Sequence, residues 1–273
     1  MANVKIVKQF QVRGLPGNVT RAEFNGRLVD FWGPANPTHV LVAHDGQNIF
    51  DRGTATNRST WKLAQNAIRV ADELGKTPPL IIGVFHSRTA ADPEGRYKDL
   101  TPLQPFHNGV KTVVEANFTL NEIRSDKYLQ HISDEILPSI SSLYSLTPSS
   151  ANTAMLGSSM GGLMALYGVG LRPDLYGTAL SFSPHWIISD NSLVEYLIDA
   201  LPKPGTHKLW MSRGTKGHDA NYGPLQNYAD ERAQKNGWRL HHDFITRIYP
   251  RTGHNQRSWQ KYVDDALRFW LEK

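Results

Sequence analysis

The stretch that most constrains this chain is residues 151–165, Ala-Asn-Thr-Ala-Met-Leu-Gly-Ser-Ser-Met-Gly-Gly-Leu-Met-Ala. A short apolar run ends in Gly157-Ser158-Ser159-Met160-Gly161, Gly162 follows, and a helix-forming stretch continues to about Leu171. The pattern predicts a strand, a sharp turn and a helix, with Ser159 at the apex. A serine held out for attack sits on strained backbone. Small residues two before and two after it let strand and helix backbones come close. A helix that begins just after the serine turns its free N–H groups and the positive end of its dipole toward developing negative charge. Ser158 does not fit, because Leu156 rather than glycine stands two positions before it. With 22 glycines in the chain, G-x-S-x-G arises by chance in roughly one such sequence in ten, so the motif needs partners elsewhere.

The flanking sequence alternates strand and helix signals. Residues 4–13 alternate apolar and polar, as a half-buried strand does. Residues 20–32 hold a second strand signal broken by Asn25-Gly26, a hairpin turn. Thr38–Ala43 and Pro79–Val84 are short continuous apolar runs, suited to strands covered on both faces. Between them residues 58–75 read as a helix stopped by Gly75. Residues 126–144 read as a helix with Pro138 inside it, a site for a kink or break. After the nucleophile turn come strands at Thr178–Phe182, Lys208–Ser212 and Leu240–Tyr249. Helices are expected over 191–201, 222–236 and 257–272. This order predicts an α/β fold: a mostly parallel central sheet, helices on both faces and antiparallel N-terminal strands. Without a linker, repeat or charge block, residues 1–273 read as one domain. Residues 85–124 lack a clear period. So long a connection is expected to line one side of a cleft, the alternative being a passive insertion with a short helix.

Composition excludes several classes. The 30 Lys and Arg against 25 Asp and Glu leave a formal charge of +5, but the cations are scattered. A nucleic-acid partner, which wants a basic stripe with interleaved aromatics, is not expected. No cysteine is present, which removes disulfides, a thiolate nucleophile and cysteine-held metal. No helical pattern carries ligands at metal spacing, so neither metal nor other cofactor is expected. No run approaches ~20 apolar residues, so no membrane partner is expected. The first residues lack an apolar run of signal-peptide length, and a cytoplasmic location is the expectation.

A serine hydroxyl needs a base, and 11 histidines compete. His254 is best placed, in a Gly-rich loop between the last strand and the last helix. His241 and His242, adjacent in a predicted strand, point to opposite faces. His39 falls inside a strand, His131 on a helix, and His207 before a strand. His44 and His185 leave strand ends and are possible substrate contacts. The imidazole needs a carboxylate partner, and Asp219 is the only acid in the loop after Lys208–Ser212. It lies seven residues past Ser212, so that loop must fold back; a helix N-cap is its alternative role. The oxyanion needs two donors. Met160 N–H is one, and Gln47 N–H the other, in a loop where Gly46 permits close backbone approach. Asp45 is a candidate ligand for a substrate hydroxyl or the closure of an Asx-turn. Most of the 7 Trp and 10 Tyr belong to packing. Trp61, Trp186, Tyr97 and Tyr222 fall near the cleft edge, and Trp186, beside His185, is expected to line the substrate pocket.

The order Ser159, Asp219, His254 is that of α/β-hydrolases. The chain resembles the putative-esterase family of that fold, whose members include enterochelin esterases, feruloyl esterases, S-formylglutathione hydrolases and mycolyltransferases. The resemblance rests on His44-Asp-Gly-Gln-Asn-Ile-Phe-Asp51, Tyr128-Leu-Gln-His-Ile-Ser-Asp-Glu-Ile-Leu-Pro138, Gly157-Ser-Ser-Met-Gly-Gly162, Gly214-Thr215 through Asp219-Ala220, and Gly253-His254-Asn255. It runs from about residue 28 to the end. It implies cofactor-free hydrolysis of a small-molecule ester through an acyl-serine intermediate, with Ser159 attacking, His254 as base and then acid, and Asp219 orienting it. One position departs from the family: many relatives carry an acid two residues after the glycine of the Gly-Thr pair, where this chain has Lys216. An acyltransferase using the same triad, or a binding protein on a hydrolase fold, are the competing readings.

Overall fold

The computed structural model describes residues 4–272; residues 1–3 and 273, at the ends of the expected 1–273 domain, lie outside the described residues. Nine strands form one sheet: β1 (Val4–Phe10), β2 (Val19–Phe24), β3 (Arg27–Trp32), β4 (Val40–His44), β5 (Leu80–Val84), β6 (Thr153–Ser158), β7 (Thr178–Phe182), β8 (Lys208–Arg213) and β9 (Phe244–Ile248). Their order across the sheet is β1-β2-β3-β5-β4-β6-β7-β8-β9. The first three strands are antiparallel, β3 pairs antiparallel with β5, and the remaining pairs are parallel. This is the α/β-hydrolase architecture that the strand and helix signals predict. Asn25 and Gly26 both take positive φ, 46° and 84°, and Phe24 pairs with Arg27 across them, the two-residue turn that matches strand twist.

Ten helices complete the described residues: α1 (Leu63–Glu73), α2 (Gly95–Leu100), α3 (Leu103–His107), α4 (Ser125–His131), α5 (Leu137–Ser142), α6 (Met160–Leu171), α7 (Asn191–Asp199), α8 (Gly223–Lys235), α9 (Gln256–Trp259) and α10 (Val263–Leu271). The strands supply both cores by simple alternation. Val40 and Val42 face the layer containing α4–α8, whereas Leu41 and Ala43 face α1, α9 and α10. Burial on both faces is why β4 and β5 read as unbroken apolar runs.

Several boundaries differ from the sequence expectation, each for a local reason. Lys62 adopts a left-handed φ of 50°, so the first helix begins at Leu63 rather than 58. His241 has φ 65° and sits in a turn before β9, so His241 and His242 do not lie in a strand. His39 likewise precedes β4. The last helix is two helices with a break at 260–262. Between α4 and α5 the backbone passes through a wide turn at Ile132–Ile136. That turn admits Pro138, which has no N–H to donate and would crowd the carbonyl four residues back. Strand β1 is exposed along its length rather than half-buried, because it is the sheet's outer edge.

The antiparallel corner is pinned by a buried ion pair. Arg21 and Asp30 face each other across β2 and β3, with Nε and Nη2 donating to the two carboxylate oxygens at 2.7 Å each. Arg21 is nearly buried and Asp30 fully so. Arg21→Met leaves that carboxylate without its partner and is expected to cost about 3–5 kcal/mol, read as a lowered urea midpoint at pH 8. An unchanged midpoint would remove the pair from the account of stability.

Candidate active site

The sheet order reverses about β4, with β5 on one side and β6 on the other. Ligands of open α/β sheets bind outside strand C-termini at such a reversal. Here those termini carry the His44–Gln47 loop and Ser159. Ser159 takes φ 58° and ψ −124°, a conformation that a side chain rarely adopts. It is held there by backbone bonds on both sides: Ser159 N–H donates to Phe182 O at 2.9 Å, and His185 N–H donates to Ser159 O at 3.2 Å. A Cβ added at Gly157 would stand 2.1 Å from the Gly161 carbonyl oxygen, so the glycine before the serine is a steric requirement. Gly46 is equally constrained, at 2.2 Å from the Gly83 backbone. That packs the β4 loop onto the end of β5.

The loops that carry Asp219 and His254 are joined to each other. Thr215 and Lys216 N–H both donate to Thr252 O, at 2.9 and 3.0 Å, and Lys216 pairs with Gly253. A short helical turn at Gly217–Asn221 then folds Asp219 back. His254 Nδ1 lies 2.6 Å from Asp219 Oδ1. The other carboxylate oxygen accepts from Gly214 N–H at 2.7 Å and Ser183 Oγ–H at 2.8 Å. Trp259 Nε1–H donates in turn to Ser183 Oγ. Asp219 is fully buried and is not a helix cap, since α8 starts at Gly223 with no side-chain cap. The carboxylate in contact with His254 is that of Asp219, three residues beyond Lys216.

Among the described residues no hydrogen bond joins Ser159 Oγ to His254. The Ser159 hydroxyl faces the Tyr222 hydroxyl instead. Nucleophile–base contacts are often loose without substrate and tighten with it. Tyr222 is fully buried; its hydroxyl bonds His185 Nδ1, and its ring stands edge-on to His254 at 5.5 Å. Burial, helped by the nearby His254 and Arg96, lowers the His185 pKa to about 4. The ring is therefore neutral at pH 7. Met160 N–H is the first of α6 and has no partner within the helix. The His44–Gln47 loop lies against that start: a Cβ at Gly161 would be 3.2 Å from His44 Cβ and 3.4 Å from Asp45 Oδ2.

Three sequence expectations change. Trp186 does not line a pocket: it is completely buried, and its Nε1–H donates to Gln226 Oε1 at 3.1 Å. The turn at Trp186–Ile188 directs the indole inward against α8. Asp45 is not free for a substrate hydroxyl, because Arg96 of α2 grips both its oxygens at 2.7 Å. Burial would raise the Asp45 pKa, but the Arg96 charge and hydrogen bonds outweigh it and bring it to about 2. His44 is buried and bonds the Tyr128 hydroxyl at 2.9 Å. His185, by contrast, faces a cleft of about 950 Å³ with Met160, Tyr97 and residues of the 85–124 segment around it. That segment thus forms one wall, with α2 and α3 inside it. Trp61 is core, stacked on Trp259 at 5.2 Å. The contact sequence reasoning missed is Arg96; no motif marks it. Tyr222 was visible only as a cleft-edge aromatic.

Known proteins share this chain's family and fold. The family model described as putative esterase matches residues 20–270. The chain belongs to that family. Its fold is similar to that of an enterobactin esterase from Shigella flexneri (TM-score 0.63, 14% identity, 99% of this chain and 59% of that one). It is also similar to the BES protein from Bacillus cereus (0.63, 16%, 100% and 96%) and to an S-formylglutathione hydrolase from Agrobacterium tumefaciens (0.59, 16%, 97% and 98%). The uncharacterized protein YbbA of Bacillus subtilis is 30% identical over 90 residues, 33% of this chain and 35% of that protein. The chain therefore spans only part of the length of the first of these structures and of YbbA. No helix among the described residues is long and apolar enough to cross a membrane, and no group of three or more possible metal ligands occurs among them.

The buried His44 carries a pH consequence. Burial lowers its folded pKa from 6.5 to about 4, so the unfolded chain binds the proton more readily. Its stabilisation is complete above pH 6.5 and is lost as pH falls toward 4. From pH 7.5 to 4.5 this one group accounts for about 2–3 kcal/mol. His44→Asn is expected to flatten the fall in urea midpoint over that range; an unaltered slope would assign the acid sensitivity elsewhere.

Proposed function

We propose that the protein is a serine carboxylic-ester hydrolase. The observation that carries the reading is the 2.6 Å contact of His254 with a fully buried Asp219, beside a serine on strained backbone at a helix start. Ser159 Oγ attacks the ester carbonyl carbon as its proton passes to His254 Nε2. The carbonyl oxygen becomes an oxyanion held by Met160 N–H and Gln47 N–H. His254 returns the proton to the departing alcohol oxygen, the C–O bond breaks, and an acyl-Ser159 remains. Water then attacks that acyl group, giving its proton to His254, and the acid is released as Ser159 regains its hydrogen. Asp219 holds the Nδ1–H tautomer and stabilises the imidazolium formed twice in the cycle. No cofactor enters any step. Family membership and the shared fold of an enterobactin esterase and an S-formylglutathione hydrolase support ester chemistry.

Release of p-nitrophenol from p-nitrophenyl acetate and butyrate tests the reading. Ser159→Ala is expected to lose on the order of a thousandfold or more in kcat while remaining folded. Asp219→Asn, which favours the wrong imidazole tautomer, is expected to lose a comparable factor with little change in KM. Equal rates for wild type and Ser159→Ala would sink the proposal.

A further inference from the structure

Tyr222 is fully buried at this site, yet the hydrolytic cycle gives it no task. Its hydroxyl bonds His185 Nδ1 and faces the Ser159 hydroxyl. Its ring stands edge-on to His185 at 5.7 Å and to His254 at 5.5 Å. Two local contacts put it there. The turn that carries Asp219 also carries Tyr222, whose N–H donates to Asp219 O at 3.3 Å. His185 is brought alongside by its neighbour: Trp186 Nε1–H donates to Gln226 Oε1, and Gln226 N–H donates back to Tyr222 O at 2.9 Å.

The supply of protons decides which way the hydroxyl bonds run. Burial lowers the His185 pKa to about 4, so at pH 7 the ring has one N–H. Tyr222 and Ser159 have one O–H each. On the esterase reading the Ser159 proton goes to His254 Nε2, so toward Tyr222 its Oγ can only accept. Oγ has a lone pair for each remaining partner, one for the carbonyl carbon and one for Tyr222. With its own proton given to Ser159, Tyr222 accepts from His185, whose hydrogen then sits on Nδ1. One directed chain results, from His185 through Tyr222 and Ser159 to His254. The reverse polarity, with Tyr222 donating to His185, would turn the Ser159 proton away from its base. Burial and the nearby Asp219 charge push the Tyr222 hydroxyl above the usual phenol range, so it donates without ionising.

Resting on the esterase reading, we propose that Tyr222 is a further catalytic residue, a hydrogen-bond donor to Ser159 Oγ, and that His185 positions it through Nδ1. Negative charge develops on Oγ twice. It does so as Oγ loses its proton and attacks the carbonyl carbon. It does so again as the acyl C–O bond breaks and Oγ takes a proton back from His254. A donor already aimed at that atom stabilises both transition states. Tyr222 keeps its own proton throughout.

Two rates test this: hydrolysis of p-nitrophenyl acetate, and phosphorylation of Ser159 by diisopropyl fluorophosphate. Tyr222→Phe keeps the ring and removes the donor. It is expected to lower kcat and the phosphorylation rate by about tenfold or more each. KM should change little, because acylation and deacylation slow alike, and the urea midpoint should stay near that of wild type. His185→Leu is expected to lose a smaller factor, and His185→Gln, whose amide can donate in place of Nδ1, to recover part of it. In the Tyr222→Phe background His185→Leu should lose nothing further, because it acts through that hydroxyl. Losses that add would overturn the part given to His185. Rates in Tyr222→Phe equal to or above wild type, or a loss confined to KM, overturn the proposal, while a Ser159-dependent wild-type rate keeps the hydrolase reading. Slowed phosphorylation in Tyr222→Phe upholds it even where the ester is not hydrolysed. Wild-type protein left unmodified at Ser159 overturns both.

Discussion

Everything at this site depends on one close approach, that of the end of β6 to the first turn of α6. With the position of a Gly157 Cβ 2.1 Å from the Gly161 carbonyl, strand and helix meet at backbone distance. The residue between them has no room for an ordinary conformation. Ser159 therefore sits at φ 58°, its amide tied to β7 and its carbonyl to the His185 loop. The strain is local and the restraint is global: parallel pairing of β6 with both β4 and β7 prevents the turn from relaxing. The same pairing brings the His44–Asp45 turn against Gly161, so the proposed nucleophile and the proposed oxyanion donors come from adjacent strands.

The proposed acid and base, Asp219 and His254, arrive by a different route. Neither the loop after β8 nor the loop after β9 is rigid secondary structure. Each is instead fastened to the other through Thr252, Thr215 and Lys216. Asp219 then receives two donors on the oxygen that His254 does not use. Those bonds fix the carboxylate without competing for the imidazole. Asp219 is thereby set to orient His254 under the proposed mechanism, although Lys216 stands where the resemblance leads one to expect an acid.

The parts legible in the sequence were those with a short-range cause. Glycine spacing around Ser159, the Asn25-Gly26 turn and the continuous apolar runs of β4 and β5 each follow from backbone sterics or two-sided burial. The placement of Asp219 and His254 followed from which strand ends they leave. What escaped were contacts made across long separations. Arg96 reaches Asp45 over 51 positions, and nothing near either residue announces the pairing. Trp186 follows a strand end, as a pocket residue would, but a single tight turn sends it into the core toward Gln226. The positive φ of His241 shortens β9 in a way that apolar alternation does not reveal. Net charge was also uninformative. The chain is formally +5, yet the charged side chains on the cleft wall are acidic.

The central claim is that Ser159, and not Ser158 beside it, is the activated nucleophile. Treatment of the native protein with diisopropyl fluorophosphate, followed by mass spectrometry of the peptide containing residues 151–171, tests it most directly. The account predicts one phosphoryl adduct, on Ser159, absent after Ser159→Ala and strongly slowed in Asp219→Asn. An adduct on another residue, or none in protein that is otherwise folded, would contradict it.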